Sequence, residues 1–158
     1  MRIEYFQLID RIASLDLPGR KIVSEAIVPA QSTIFEGHFP GFPLMPGVLL
    51  IETMAQTAGW LVVANNRFER MAFLASVKDA KFRTFVTPGQ VLTVTADLKH
   101  EGSGYAMTET AITCEGRDIC NATIAFRVMS FPSPDLARYM HETARRVGLE
   151  VPEAATHA

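Results

Sequence analysis

The sequence has few of the residues on which several large classes of protein depend. Its 158 residues include only two cysteines, Cys114 and Cys120. Two cysteines are too few for a disulfide framework, and this pair lacks the spacing and the partners of a zinc site. We therefore expect both thiols to be reduced.

An excess of charge of one sign is also missing. The 15 Lys and Arg residues oppose 17 Asp and Glu residues, which gives a formal net charge of −2. No overall field attracts the chain to nucleic acid or to an anionic membrane, so we expect neither partner. The N-terminus has no basic region followed by an apolar run, so no signal peptide is predicted and the cytoplasm is the expected location.

The composition is that of a globular domain. Hydrophobic residues make up 48% of the chain and charged residues 20%, a balance that supports a sizeable core. We predict a single domain over residues 1–158. Apolar or alternating patterns predict strands over residues 5–14, 21–28, 71–77, 81–86, 91–99, 105–114 and 119–129. One long helix among antiparallel strands predicts an α+β fold.

The strongest pattern runs from Gly37 to Trp60, with the sequence GHFPGFPLMPGVLLIETMAQTAGW. Prolines recur at every third residue from Pro40 to Pro46. Each fixes its own φ and restricts the residue before it, which predicts a stiff, non-helical loop. Pro46 suits the first position of a helix, and residues 48–64 have the length and apolar content of a buried one.

Two polar residues interrupt this apolar helix. Glu52 and Gln56 are four positions apart, so they share one face with the small residues Ala55 and Gly59. A lone carboxylate on a buried helix is costly unless it is paired, neutralised or used in chemistry. The same two residues argue against a membrane span, because they lie near the middle of the run.

Three chemical groups converge on this stretch. Gly47 and Val48 lie in the first helical turn, where their N–H groups have no intrahelical partner and are suited to binding an oxyanion. Glu52 in a dry setting would have a raised pKa and act as a general acid. His38, which precedes the stiff loop, is the natural base, although a loop or core role is an open alternative. Gln56 could serve only as the hydrogen-bonding partner of Glu52.

The motif HFPGFPLMPGVLLIETMAQ resembles the signature of the β-hydroxyacyl-acyl carrier protein dehydratases of the FabZ type, which belong to the hotdog-fold superfamily. The resemblance continues through FLASVKDAKFRTFVTPG and, more loosely, up to Met129. By position, His38 matches the catalytic histidine of the family and Glu52 its catalytic glutamate. Gly47 matches the glycine whose N–H polarises the thioester carbonyl. Related FabA-type enzymes, which also isomerise the double bond, carry Asp at the position of Glu52, so dehydration alone is implied.

The resemblance implies an antiparallel sheet wrapped around one central helix. It also implies an enzyme of fatty acid biosynthesis that converts a 3-hydroxyacyl-acyl carrier protein into the trans-2-enoyl product without a cofactor or metal. The backbone oxygen of Leu44 is expected to accept a hydrogen bond from Nδ1–H of His38. Phe39 and Phe82 are expected to line an apolar acyl channel, with core packing as the alternative. Lys81 and Arg83 could face an acidic carrier protein, or could simply be solvated.

An apolar helix in a chain of this length needs a second subunit to cover it. Members of the family are dimers, often assembled as trimers of dimers, and each site takes His from one subunit and Glu from the other. The resemblance therefore implies that His38 and Glu52 act across a dimer interface.

The two ends of the chain depart from the family pattern. The chain opens with MRIEYFQLIDRI, and residues 133–158 extend past the usual end with a predicted helix, DLARYMHETARRVG. Both ends are similar to a branch of the family that acts on very long acyl chains for lipid A. The remaining histidines, His100, His141 and His157, are predicted to be exposed.

Two other functions are compatible with these features. A hotdog thioesterase would share the fold and the helix carboxylate, but it would not need His38. A non-catalytic protein that binds acyl carriers would keep the channel, but it would not need His38 and Glu52 together.

Overall fold

The structure, a computed structural model, describes residues 1–153, so His157 lies outside the described residues. A short 3-10 helix, Ile3–Tyr5, comes first. The strands and helices that follow, in chain order, are β1 Arg11–Asp16, β2 Lys21–Ile27, α1 Thr33–Gly37, α2 Gly47–Asn65, β3 Arg70–Phe82, β4 Val91–Gly102, β5 Tyr105–Cys114, β6 Arg117–Ser130 and α3 Pro134–Arg146.

One antiparallel sheet of six strands wraps around α2. The strand order is β1-β2-β4-β5-β6-β3, and α2 contacts every strand from β2 to β6. Alternate residues of β4 and β5 are buried because side chains on a strand point to opposite faces. The inner face packs Leu92, Ile112 and Ile124 against Leu50 and Leu61 of the helix. The predicted α+β class and hotdog arrangement are confirmed.

The predicted reversals between the last three strands are also present. Ser103 and Gly104 connect β4 to β5, and Glu115 and Gly116 connect β5 to β6, all four with positive φ. Two-residue hairpin loops of this kind favour residues that tolerate the left-handed region.

Two strand predictions were wrong in their bounds. Residues 5–14 were predicted as one strand, but the chain turns back at Phe6, which has φ of 55°, and β1 begins only at Arg11. Residues 71–77 and 81–86 were predicted as two strands, but β3 is continuous as far as Phe82. Its pairing with β6 is irregular around Asp79, which also has positive φ. An extra residue at this point interrupts the strand pattern of the sequence, which explains why the sequence predicted two strands.

The central helix begins one residue later than predicted. Pro46 has ψ of 135° and is the N-cap, so Gly47 is the first helical residue. Of the described residues, α2 forms the one helix that is long and apolar enough to span a membrane by length and composition, and 61% of it is buried in the protein. The core helix of a folded domain has these same properties.

The predicted C-terminal helix is present and packs on the body of the protein. Its N-cap, Ser133, accepts a hydrogen bond from the N–H of Leu136, and Gly148 with φ of 95° follows its end. His100 is exposed as predicted, but the predicted exposure of His141 was wrong: it is 4% exposed and donates from Nε2 to the backbone oxygen of Phe68 at 2.9 Å. It lies on the buried face of α3, one turn after Ala137.

We predict that His141→Ala lowers the free energy of unfolding by about 1–3 kcal/mol, because it leaves the carbonyl of Phe68 unpaired in a buried setting. Urea denaturation at fixed protein concentration measures this. His100→Ala, on the exposed part of β4, is the control and should change stability by less than about 0.5 kcal/mol. Equal effects of the two substitutions would contradict the anchoring role of His141.

Candidate active site

The helix α1, which the sequence analysis did not predict, places His38. Its N-cap Ser32 accepts a hydrogen bond from the N–H of Ile34 at 3.1 Å, and the Ser32 hydroxyl donates to Glu4 at 2.6 Å. This hydrogen bond, with others to the same carboxylate, lowers the pKa of Glu4. His38 follows as the C-cap, and its N–H donates to the carbonyl of Ile34 at 2.9 Å. The N-terminal segment, residues 1–10, therefore anchors the helix that carries the histidine.

A closed loop then fixes the orientation of the His38 ring. Phe39 and Phe42 exchange two backbone hydrogen bonds around Pro40 and Gly41, and Gly41 has φ of 75°. Proline followed by a residue with positive φ is the arrangement of a type II turn. The N–H of Leu44 donates to the carbonyl of His38 at 2.8 Å, which closes the loop.

The predicted hydrogen bond from the His38 side chain is present. Nδ1 lies 3.0 Å from the backbone oxygen of Leu44. A carbonyl oxygen can only accept, so Nδ1 carries the proton. In the neutral imidazole, Nε2 is therefore unprotonated and can accept a proton.

The first turn of α2 presents two unpaired donors. The first backbone hydrogen bonds of the helix run from the N–H groups of Leu49 and Leu50 to the carbonyl of Pro46. Among residues 1–153, no group accepts a hydrogen bond from the N–H of Gly47 or Val48. These donors lie at the positive end of the helix dipole, where an oxyanion is stabilised.

The ring of Phe82 covers Gly47. A Cβ added at Gly47 would lie 3.2 Å from Cε1 of Phe82, closer than an ordinary van der Waals contact. Phe39 and Phe82 are about half exposed, as is the neighbouring Phe42, so none of them is packed in the core of this chain. With Val48 they form an exposed apolar surface around the loop, of a kind that marks interaction sites.

The helix carboxylate belongs to a separate group. Gln56 donates from Nε2 to Glu52 at 3.1 Å and to the carbonyl of Phe6 at 2.8 Å, and its oxygen accepts from the N–H of Leu8 at 3.1 Å. The pairing of Gln56 with Glu52 is as predicted. The contribution of Phe6 and Leu8 was missed, because they act through their backbone and no side-chain pattern reports it. Glu52 is half-buried, so a single chain does not enclose the carboxylate.

Glu52 and Gln56 line a cavity of about 260 Å³ between α2, β3, α3 and the N-terminal segment. Among residues 1–153, neither His38 nor Gly47 lines this cavity. Gly47 and Glu52 are five positions apart on the helix, about 140° around it and about 7.5 Å along it. Within one chain, the two groups therefore face different spaces.

The two cysteines are not nucleophile candidates. Both are free and buried. Burial raises the pKa of the Cys120 thiol to about 11, against a smaller opposing effect of Arg83, and burial also raises the pKa of Cys114. The thiolate is the reactive form, so both side chains are inert near neutral pH. Within the described residues there is also no cluster of three or more His, Cys, Asp or Glu side chains that could hold a metal ion.

Comparison with known proteins places these groups in context. The profile of the FabA-like domain matches residues 2–123. The 3-hydroxyacyl-[acyl-carrier-protein] dehydratase FabZ of Chlamydia caviae is 44% identical over 96 residues, which cover 59% of this chain and 62% of that protein. The chain thus spans less than two thirds of the length of this relative. A protein of the same name from Ligilactobacillus salivarius is 35% identical over 122 residues, which cover 77% of this chain and 86% of that protein.

A solved structure shares the fold. The hypothetical thioesterase of Streptococcus pneumoniae, crystallised with coenzyme A, superposes with a TM-score of 0.59 over 78% of this chain and 88% of that chain, at 19% identity. At this level of identity the likeness concerns the fold, and the chemistry has to be argued from the site.

Proposed function

The chain belongs to the FabA-like family, and on this premise we propose that it removes water from 3-hydroxyacyl groups on an acyl carrier protein, giving trans-2-enoyl products for fatty acid biosynthesis. One domain carries the groups for this reaction, and residues 133–158 extend it. The observation that supports the proposal best is the hydrogen bond from Nδ1 of His38 to the backbone oxygen of Leu44, which leaves Nε2 free. Leu44 lies only three residues before Gly47, whose N–H is unpaired like that of Val48. A free base and an oxyanion site are what proton removal next to a thioester carbonyl requires.

In the proposed reaction, Nε2 of His38 takes the proton from C2 of the acyl chain. The electrons of that C–H bond form the C2–C3 double bond, and the developing enolate oxygen is stabilised by the N–H of Gly47. The C3–O bond breaks, and the hydroxyl group takes a proton from Glu52 and leaves as water. Transfer of the proton from His38 back to Glu52 restores both groups. Gln56 holds the Glu52 carboxyl in position.

We propose that Glu52 comes from the partner subunit of a homodimer. Within one chain Glu52 and His38 face different spaces, so neither space holds both the acid and the base. The exposed apolar surface of Phe39, Phe42, Val48 and Phe82 supplies an interface. The outer edge of β3 pairs with no other strand among residues 1–153, so it offers a second point of contact. Assembly of such dimers in threes is part of the same proposal.

The acyl carrier protein would dock beside Phe82. Lys81 and Arg83 precede and follow Phe82 in the chain and are exposed, which suits an acidic partner. A cytoplasmic location is consistent with two free cysteines. The opening segment and the extension after residue 133 support a narrower assignment, to very long acyl chains of lipid A, whereas the volume of the cavity beside Glu52, about 260 Å³, favours shorter chains.

We predict that His38→Ala and Glu52→Gln each reduce formation of the enoyl product by roughly 10²- to 10⁴-fold without unfolding the protein. The substrate is a 3-hydroxyacyl carrier protein, and the product is measured by mass spectrometry. His100→Ala is the control and should keep full activity. If wild-type protein releases free thiol instead of forming enoyl product, the reaction is that of a thioesterase. If the protein binds the substrate but forms neither enoyl product nor free thiol, it is a non-catalytic binder.

We predict that Gly47→Pro reduces turnover by about 10²-fold or more, because proline has no N–H to stabilise the oxyanion. The helix should survive, since Gly47 is the first helical residue and Pro46 already has the extended ψ that a following proline requires. Gly47→Ala is the matched control for bulk near Phe82 and should cost far less. Equal kcat values for the two variants would refute the role of the Gly47 N–H.

We predict that two inactive variants restore activity when they share a dimer. If His38→Ala and Glu52→Gln subunits are unfolded together and reassembled at random, about half of the dimers are mixed, and each mixed dimer has one intact site. Activity should then recover to about a quarter of the wild-type value. Native mass spectrometry confirms that mixed dimers are present.

If both residues acted within one chain, every site in the mixture would contain one substitution. Activity would then stay at the level of the separate variants, and the shared site would be excluded.

A further inference from the structure

The cavity beside Glu52 is bounded on one side by the C-terminal extension. Residues of α2 form its floor, and β3 and β6 contribute Met71, Leu74 and Phe126. The opposite wall is α3, with Tyr139 and Met140 at its centre. Glu52, the proposed acid, therefore lines a cavity whose other wall is α3. This helix lies outside residues 2–123, the part of the chain that matches the FabA-like domain.

The lining has the chemistry of an alkyl-binding site. Beyond Glu52 and Gln56, the walls are mainly apolar and aromatic, with Trp60, Val63 and Met140 among them. Gly59 leaves room in the floor, since a Cβ added there would meet its nearest neighbour, Cε1 of Phe126, at an ordinary 3.8 Å. The polar groups Gln7, Thr143 and Arg146 also line the cavity. A flexible hydrocarbon chain is suited to such a space.

The α3 wall is held in place at several points. The side chain of His141 is hydrogen-bonded to the backbone oxygen of Phe68. The carbonyl of Val147 accepts a hydrogen bond from the N–H of Ile12 at 2.7 Å. With its amide oxygen turned towards α3, Gln7 accepts from both terminal nitrogens of Arg146 at 3.2 Å. These contacts join α3 and the residue that follows it to the α2–β3 connection, to β1 and to the N-terminal segment, so the wall has a fixed position.

The volume of the cavity limits its occupant. A methylene group fills about the volume of a water molecule, roughly 30 Å³, so about 260 Å³ holds roughly eight methylene groups. An acyl chain with C3 at Glu52 would place its remaining carbons in this space. A longer chain would meet α3.

We infer that α3 sets the longest acyl chain that the enzyme accepts, with Met140 and Tyr139 as the residues that determine this limit. The inference rests on the proposed dehydratase function, because it assigns the tail of that substrate to this cavity. It gives the C-terminal extension a role in specificity. The apolar tail lies between α2 and α3 of the subunit that supplies Glu52, while the thioester lies at the loop after α1 of the other subunit.

The test compares kcat/KM for saturated 3-hydroxyacyl carrier proteins from about four to about sixteen carbons, since pockets of this kind discriminate about tenfold or more per methylene group. For the wild type, kcat/KM should rise with length and then fall once the tail exceeds roughly eight methylene groups. Gly59→Leu fills the cavity and should lower the ratio of long-chain to short-chain kcat/KM by about tenfold or more. Met140→Ala should move the upper limit to longer chains by about two carbons.

Glu142→Ala is the matched control, because Glu142 is exposed on α3 and does not line the cavity. It should leave the whole length profile unchanged. Circular dichroism and thermal melting of each variant show whether the substitution has altered the fold. The ratio of long-chain to short-chain kcat/KM is taken within one variant, so a general loss of active protein does not affect it.

A second measurement separates this inference from the proposed function. Protein labelled with 13C at the methionine methyl groups is mixed with a long-chain or a short-chain 3-hydroxyacyl pantetheine amide, which cannot react at a thioester. The Met140 resonance, assigned from Met140→Ala, should shift with the long chain only. Failure of dehydration with this shift intact would refute the proposed function and leave the chain-binding cavity standing.

Two results would overturn the inference. In the first, Gly59→Leu and Met140→Ala change long-chain and short-chain kcat/KM by the same factor. In the second, the long-chain amide binds without moving the Met140 resonance. Either result would mean that something other than the acyl tail, such as a side chain of the second subunit, occupies the cavity.

Discussion

The whole architecture depends on covering α2, a helix of 19 residues that is apolar on nearly every face. An apolar helix gains stability roughly in proportion to the surface that it removes from water. The six-stranded sheet covers the side of Leu50 and Leu61, and α3 with the N-terminal segment covers part of the side of Glu52. What one chain leaves uncovered is the start of the helix and the loop before it, where the exposed phenylalanines lie. The uncovered region is also where the proposed chemistry takes place.

Polar groups on this helix are tolerated because each is given a specific partner. Thr57 shares a hydrogen bond of 2.6 Å with Ser24 of β2, and Gln56 uses both its donors and its acceptor. No described buried side-chain nitrogen or oxygen lacks a partner. Among residues 1–153, the N–H groups of Gly47 and Val48 at the start of α2 have no acceptor. Their place at the positive end of the helix dipole suits them to an oxyanion.

The fold and the chemistry carry different kinds of information about function. A thioesterase-like neighbour has the same arrangement of sheet and helix, so the arrangement alone does not choose a reaction. The choice comes from a few groups: a histidine with a fixed tautomer, two unpaired amides, and a carboxylate held by Gln56. Family membership and these groups support dehydration together, and the C-terminal helix adds a means of selecting among acyl chains. Specificity for acyl-chain length is therefore assigned to α3, which contributes none of the catalytic groups.

The sequence by itself determined the central helix, the stiff loop and the two hairpins, because these follow from local rules on proline, glycine and helical spacing. The hydrogen bond between His38 and Leu44 was implied by the resemblance to the FabZ-type dehydratases. The sequence could not reveal the burial of His141 or the backbone contacts of Phe6 and Leu8 with Gln56. Those depend on segments far apart in the chain that meet only after folding. It also could not show that Glu52 opens onto a cavity with α3 as its wall. A residue on a helix has a face that sequence can predict, but what lies opposite that face is decided by tertiary packing.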